Sequence, residues 1–392
     1  MNLFLIKVGK VINVLKRDGF LNGIKRIVNA LKIANKKVEP GDVLIITNGT
    51  GDSARYRARH VAEELNENQI KCSVSTQDNA SILKFVDEFK VFIFHRTVVN
   101  KKIKEMVEKI KSQKKEIIFE ADDLIYDPKF LKLMDGYKKM NVLEKKLYKN
   151  GLGGEILNDD YVKVCSTTTT FLAEKFKEKG KRVFIVSNKL SKEDVTWARE
   201  ILVNKKEKNK NEIIIGYFSG TISHNKDFAT ITQPLMQILK KYSQVKLFLA
   251  GPLDPEAELV REFGKRIINK PYVPRKEYFK NVASVDINIA PLEISNPFCE
   301  GKSELKFFEP GILKIPTVAT ATQTFREAIE DGSDGFIAKN EKEWKAKLEK
   351  LILDKKLRIE MGEKAYKKIL EKYTVKNANA NDYYEFLKSK IK

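Results

Sequence analysis

Between residues 286 and 338 the chain reads DINIAPLEISNPFCEGKSELKFFEPGILKIPTVATATQTFREAIEDGSDGFIA, and Gly301, Lys302, Ser303, Lys306 and Glu309 are the side chains there suited to chemistry. A glycine ahead of a helix lets backbone N–H groups converge, and the helix end adds partial positive charge, so this spacing could hold an anion without a metal. Lys302 would stand at the mouth of that pocket. Lys306 and Glu309 are three apart and share a helix face, which offers a cation to a phosphate beside a carboxylate for a sugar or ribose hydroxyl. In a chain of 32% charged residues, Lys302, Glu304 and Lys306 also fit a plain solvated face.

The elements that must position these groups are legible around them. DINIAPL predicts a short buried strand, since isoleucine and alanine run together before a proline. Residues 303–313 predict a helix with Ser303 as its N-cap, stopped before Pro316. Residues 317–320 give a second strand, and TFREAIEDG a further helical turn or two ending at Gly332. Strand, phosphate-sized loop, helix and strand make one half of an α/β ligand site.

Similar loops recur elsewhere. Gly216-Tyr217-Phe218-Ser219-Gly220-Thr221 ends a predicted strand at 213–218, and the small Ser219-Gly220 pair would let a diphosphate approach the backbone; His224, Asn225, Lys226 and Asp227 open the next helix, expected at about 227–241. His224 and Lys226 fit a surface loop equally well. Near the start, the strand 43–47 leads into a loop holding Gly49 and Gly51, a weak nucleotide-binding signal or a tight turn. The helix that follows places Arg55 and Arg59 on one face, suited to a phosphate or to solvent. His95 and the pair Asp122 and Asp123 follow strands at 90–94 and 116–120, where α/β folds bind ligands. His95 either projects toward a substrate or sits in a turn with a backbone partner, and Asp122 and Asp123 serve acceptor binding or helix capping. Glu120, Asp122 and Asp123 are three neighbouring carboxylates, which alone do not specify a metal geometry.

Residues 309–319, EPGILKIPTVA, resemble the second half of the Glu-x7-Glu signature of retaining, two-domain glycosyltransferases of the GT-B fold (glycosyltransferase family 4, or glycosyl transferases group 1). The resemblance runs over roughly residues 43–375. It implies an α/β architecture of two Rossmann-like domains facing a central cleft, and a role for Glu309 on the nucleotide's ribose. The first glutamate of the signature falls on Gly301, with Glu300 one residue early as the candidate near the donor sugar. GKSELK looks like a branch of bacterial polysaccharide glycosyltransferases in which the lysines meet the donor diphosphate. Ser219, Gly220, Thr221 and Lys226 would then steady the donor phosphates, although an aspartate replaces the glycine after the lysine. Backbone near Tyr272 and Val273 would read the nucleotide base. Gly49, Gly51, Arg55, Arg59, Asp122 and Asp123 would face the acceptor, with His95, Glu300 and Lys306 as the catalytic candidates.

The implied reaction is transfer of a sugar from a nucleotide sugar to a lipid-linked or polymeric glycan acceptor in cell-envelope polysaccharide synthesis, with retention and with neither a metal nor another cofactor. Cleft closure would exclude water and orient the acceptor hydroxyl. A sugar-nucleotide epimerase of the same build is the alternative enzyme. A nucleic-acid module fits the charge but lacks an aromatic-basic binding motif.

Length and composition agree with this architecture. A chain of 392 residues with 42% hydrophobic content predicts two cores. Its 74 basic against 53 acidic residues, a formal charge of +21, imply an anionic partner without naming it. Cys72, Cys165 and Cys299 show neither metal-ligand nor disulfide spacing, which fits a reducing, cytoplasmic location. The expected domains are a basic amphipathic arm at 1–40, α/β domains at 41–190 and 191–372 with a linker about 188–212, and a segment 373–392 crossing back to the first domain. The arm alternates apolar positions with lysines and arginines, as a helix on an anionic membrane surface or packed on protein would. It holds no uninterrupted apolar span long enough for a transmembrane helix. Oligomerisation is left open.

Overall fold

The computed structural model describes residues 37–134, 148–205, 212–220, 225–378 and 380–392, with isolated positions in 23–32 and 137–145. The charged stretch 206–211, Thr221, His224 and most of the basic arm lie outside the described residues. The chain forms two compact units, one of residues up to Lys132, Tyr137–Asn188 and Asn379–Lys392, the other of Lys189–Ala378 with Leu133–Gly136.

In the first unit, apolar runs form central strands buried on both faces, as an all-parallel sheet requires, while the two edge strands are partly exposed. They are β1 (Val43–Thr47), β2 (Cys72–Thr76), β3 (Val91–His95), β4 (Glu116–Glu120), β5 (Val164–Thr167) and β6 (Arg182–Ile185). All pairs are parallel, in the order β2-β1-β3-β4-β5-β6. The order reverses between β1 and β3, so their carboxyl ends flank the crevice where such sheets bind ligands. One face carries a core that includes Ile45, Ile93, Leu65 and, from the helix Asn381–Ile391, Tyr383, Tyr384, Phe386 and Leu387. The Tyr384 hydroxyl donates to Glu64 within that core.

The second unit repeats the plan with β7 (Ile213–Phe218), β8 (Val245–Ala250), β9 (Ile267–Lys270), β10 (Ile287–Ala290), β11 (Thr317–Thr320) and β12 (Phe336–Ala338). Its order, β12-β11-β10-β7-β8-β9, is that of a dinucleotide-type sheet, with the switch point between β7 and β10. Gly251 closes β8 at φ +86°, and a Cβ there would meet the Ser219 carbonyl oxygen at 1.9 Å, so the loops after β7 and β8 can approach only over a glycine.

Three helices differ from expectation. The one expected at 227–241 is two, Asn225–Ala229 and Thr232–Lys241. Pro234 lies in the first turn of the second, where a missing N–H costs no helical bond. The helix expected from Ser303 runs from Leu305 to Gly311, with Glu304 at its N-cap and no side-chain cap bond. The final turn covers only Gln323–Ala328, capped by Thr322, because Ile329 turns extended and Gly332 takes φ +86°.

Candidate active site

Each unit gathers polar side chains at its own switch point. In the first, His95 ends β3 with no exposed surface. Its Nδ1 lies 3.0 Å from Thr47 Oγ1 at the end of β1, and its Nε2 lies 3.1 Å from Ser53 Oγ and 3.3 Å from Asp122 Oδ1. Ser53 donates to Asp122 at 3.0–3.1 Å. With that proton on Asp122, the imidazole proton belongs on Nε2, and Nδ1 accepts from Thr47. His95 therefore does not project as a free side chain: both nitrogens are engaged, and it orders the groups around it.

Arg96, held at φ +48°, forms ion pairs with Asp122 at 2.5 Å and Asp123 at 2.6 Å. Burial opposes the charge of both carboxyls. At Asp122, Arg96 and His95 outweigh burial and hold the group well below the usual range; at Asp123 burial prevails and raises it. Asp123 also accepts from the Ile125 N–H at 3.0 Å, so capping of the turn is one of its roles.

The predicted basic helix opens with an α-turn, Asp52–Ala54, and continues as a π-helical stretch, Arg55–His60, a distortion that often marks functional segments. Arg55 pairs with Asp52 at 3.3 Å and Arg59 donates to the Thr50 carbonyl at 3.4 Å. Burial, then the neighbouring Arg55, brings Arg59 down to about 10. Gly49 and Gly51 face open space, with no atom within 4 Å of where a Cβ would stand. Arg57, between these two half-buried arginines, is instead fully buried on Glu120, at 2.8 Å, and on the Val186 carbonyl and Asn188.

In the second unit, the short helix Pro297–Glu300 and the helix Leu305–Gly311 follow β10 and carry the segment singled out in the sequence. Lys306 donates to the Phe218 carbonyl at 3.0 Å, its ammonium 4.0 Å from the centre of the Tyr217 ring, so it stands at the end of β7. Burial pushes this ammonium down to about 7, against the pull of Asp227. Lys302 pairs with Asp227 at 2.8 Å. Asp227, 2% exposed, also accepts from the Glu293 N–H and the Cys299 thiol at 3.2 Å each. Burial pushes that thiol up to about 12, so it is a neutral donor. Asp227, Glu293 and Cys299 thus bring three potential ligand atoms within 4.8 Å of one another, a cluster not anticipated from spacing.

Several predicted features take other geometry. The N–H groups of Gly301 and Lys302 already donate to the Pro297 and Cys299 carbonyls, and Gly301 has an ordinary helical φ of −76°. Glu300 accepts from the Gln323 N–H at 3.1 Å and so caps the helix after β11. Ser303 is half-buried, and Glu304, expected on a solvated face, is buried, with burial raising its carboxyl. Glu309 is 7% exposed and receives Arg275 on Oε1 at 2.5 Å and the Tyr278 hydroxyl on Oε2 at 2.6 Å. Ser219 is buried, while Gly220 faces open space beside it. Lys226 is exposed, Tyr272 is 39% exposed, and Val273 is half-buried between β9 and the helix Arg275–Ala283.

Two Rossmann-like domains in one chain, each with its switch point lined by charge, define the GT-B fold. The chain is similar to the sucrose-phosphate synthase of Thermosynechococcus elongatus, with a TM-score of 0.59 at 13% identity over 89% of this chain and 98% of that one. HepE of Anabaena in complex with UDP gives a TM-score of 0.55 at 14% identity, covering 89% of this chain and 100% of that one. TarM of S. aureus, in complex with Fondaparinux, alpha-GlcNAc-glycerol and UDP, gives 0.52 at 15% identity over 80% and 58%. No curated protein matches the sequence. Residues 198–368 match the family described as glycosyl transferases group 1. The chain has the GT-B fold, and its match to that family falls on the second unit.

Proposed function

We propose that this enzyme moves a sugar from a nucleoside diphosphate sugar to a lipid-linked or polymeric glycan acceptor in cell-envelope polysaccharide synthesis, with retention. The observation that supports the donor half is Lys306 bonded to the Phe218 carbonyl at the end of β7, with Lys302 paired to Asp227 on the helix that follows. Oriented cations there stabilise the charge that grows on the diphosphate as the glycosidic bond breaks. Asp227 holds Lys302 until the diphosphate supplies a competing anion. Glu309 takes the ribose hydroxyls, backbone at Tyr272 and Val273 the base, and Glu300 serves the donor sugar. In the first domain, Arg55, Arg59, Asp122 and Asp123 take the acceptor, with His95 positioning Ser53 and Asp122. HepE is described with UDP and UDP-glucose, which makes these the first probes.

Proton uptake tests the diphosphate assignment. Lys306 titrates near 7 in the free site, and a neighbouring diphosphate favours its charged form. The diphosphate of a nucleotide sugar has no group of its own titrating near neutrality. Lys306 is already charged below about 7, so affinity is fullest there, and it falls as pH rises above 7 because binding must then take up a proton. Calorimetry at about pH 8 in two buffers of different ionisation enthalpy should show uptake approaching one proton per nucleotide sugar bound. Zero uptake, with affinity flat across this range, would remove Lys306 from the diphosphate site.

The acceptor half rests on the basic arm. Ile24, Val28 and Leu31, at i, i+4 and i+7, are 39%, 44% and 57% exposed, and Lys32 is exposed beside them. Deleting residues 1–35 should reduce co-sedimentation with anionic liposomes at low salt while leaving use of a soluble acceptor analogue largely intact. The full chain's binding should weaken with salt, as screening shortens to a Debye length of about 10 Å at 0.1 M. Equal liposome binding by the truncated and full chains would sink the membrane role. A lower melting temperature with lost activity on every acceptor would mean that the arm braces the protein instead.

A further inference from the structure

The buried network behind Glu309 carries a role that its own sequence signature does not mention. Arg275 opens the helix Arg275–Ala283, and its side chain is 10% exposed. Its Nη1 donates to Glu309 Oε1 at 2.5 Å, and its Nε and Nη2 fork onto the two oxygens of Asp194 at 3.1 and 3.2 Å. The guanidinium lies against the rings of Phe279 and Tyr278, 4.8 and 5.6 Å from their centres. Tyr278 itself holds the other Glu309 oxygen at 2.6 Å. Asp194 is anchored in turn. It is 2% exposed and closes a capping box with Ser191 at the start of the helix Lys192–Val203, Ser191 Oγ accepting from the Asp194 N–H at 3.0 Å.

We propose that Arg275, fixed by Asp194, is a positioning residue for donor binding: it presents the Glu309 carboxylate to the vicinal hydroxyls of the ribose. This inference rests on the reading of Glu309 as the ribose ligand. Each carboxylate oxygen has two acceptor directions. Arg275 takes one on Oε1 and Tyr278 one on Oε2, and these two bonds from opposite oxygens orient the carboxylate plane. Arg275 also separates two carboxylates that would otherwise repel each other at a buried site. Only a planar, multiply donating cation spans both; lysine brings the charge but not the fork.

The test compares UDP, GDP and ADP, each beside its 2′,3′-dideoxy counterpart, by calorimetry on the full chain, with thermal melts of every variant. Glu309→Gln should weaken the preferred ribonucleotide and erase its preference over the dideoxy form. Arg275→Lys should weaken the ribonucleotide about tenfold, a difference of about 1.4 kcal/mol, and leave dideoxy binding unchanged. Arg275→Lys combined with Glu309→Gln should bind no more weakly than Glu309→Gln alone, because the arginine acts through the glutamate. Asp194→Asn, which loosens the fork and keeps Arg275 and Glu309, should move affinity in the same direction and serves if Arg275→Lys does not fold. Equal loss on ribose and dideoxyribose nucleotides in either variant, or additive losses in the combination, would reduce Arg275 to a tie between helices and overturn the proposal. A Glu309→Gln protein that keeps its ribose preference would instead remove the underlying ribose assignment. Failure of all three ribonucleotides to bind the wild-type chain would remove the donor site itself.

Discussion

Alanine at Lys306 should lower turnover of the nucleotide sugar by more than tenfold in a protein that still melts cooperatively. The side chain leaves the helix Leu305–Gly311 and reaches the Phe218 carbonyl at the end of β7, so its ammonium is held at the switch point of the second sheet. A charge-assisted hydrogen bond there is worth ~1.5–3 kcal/mol, which converts to ~10- to 150-fold in rate if the interaction forms fully only as the diphosphate departs. Truncation gives up the bond to the Phe218 carbonyl and the contact with the Tyr217 ring, so the rate is read beside a melt of the same variant. Lys302→Ala should act in the same direction, and it leaves the buried Asp227 without its lysine. Steady-state kinetics against a thermal melt decide the matter, and unchanged turnover in both variants would take the lysines out of the site.

The largest loss of stability should come from Arg57→Met. Its guanidinium and the Glu120 carboxylate have side-chain exposures of 0% and 3%, and Glu120 also accepts from Ser166. Removing the cation strands a buried carboxylate at the end of β4, a loss of ~3–5 kcal/mol from the first unit. Pairing Arg57→Met with Glu120→Leu should recover most of that, because two apolar groups leave no buried charge. Native-state hydrogen exchange would localise the change to β3, β4 and β5. A loss below about 1 kcal/mol in the single variant would show that water reaches the pair.

The strands were the legible part of this fold. VLIIT, EIIFE, IIIGYF and TVAT form strands over the bounds their apolar runs predict, since central parallel strands need both faces apolar and the sequence cannot hide that. Sheet order was not legible, because it depends on pairings between distant segments. The site shows the same division. The residues at strand ends, His95, Asp122 and Ser219, could be chosen from a general rule about α/β sheets. Their partners could not. Lys302 and Asp227 are 75 residues apart, Arg275 and Glu309 34, and His95 and Thr47 48. Asp227 was visible only as an aspartate where the family pattern has glycine. Ser303 misled as a cap because serine propensity is local, whereas the preceding short helix Pro297–Glu300 already fixes the backbone through Gly301 and Lys302. Arg57 sat unnoticed between Arg55 and Arg59, since an alternating basic run says nothing about which arginine is buried.

The central claim, transfer from a nucleotide sugar by a donor site in the second domain, is tested most directly by release of free nucleotide from a panel of nucleotide sugars. The full chain is incubated with each donor in excess chelator, with and without membrane extract, and the product is examined by NMR. The account predicts that one donor is consumed rapidly only when the extract supplies an acceptor, that chelator leaves the rate unchanged, and that the new glycosidic bond keeps the donor's anomeric configuration. Conversion of a nucleotide sugar to an isomer without acceptor would identify an epimerase, and no nucleotide release from any donor with extract and added Mg²⁺ or Mn²⁺ would contradict the account altogether.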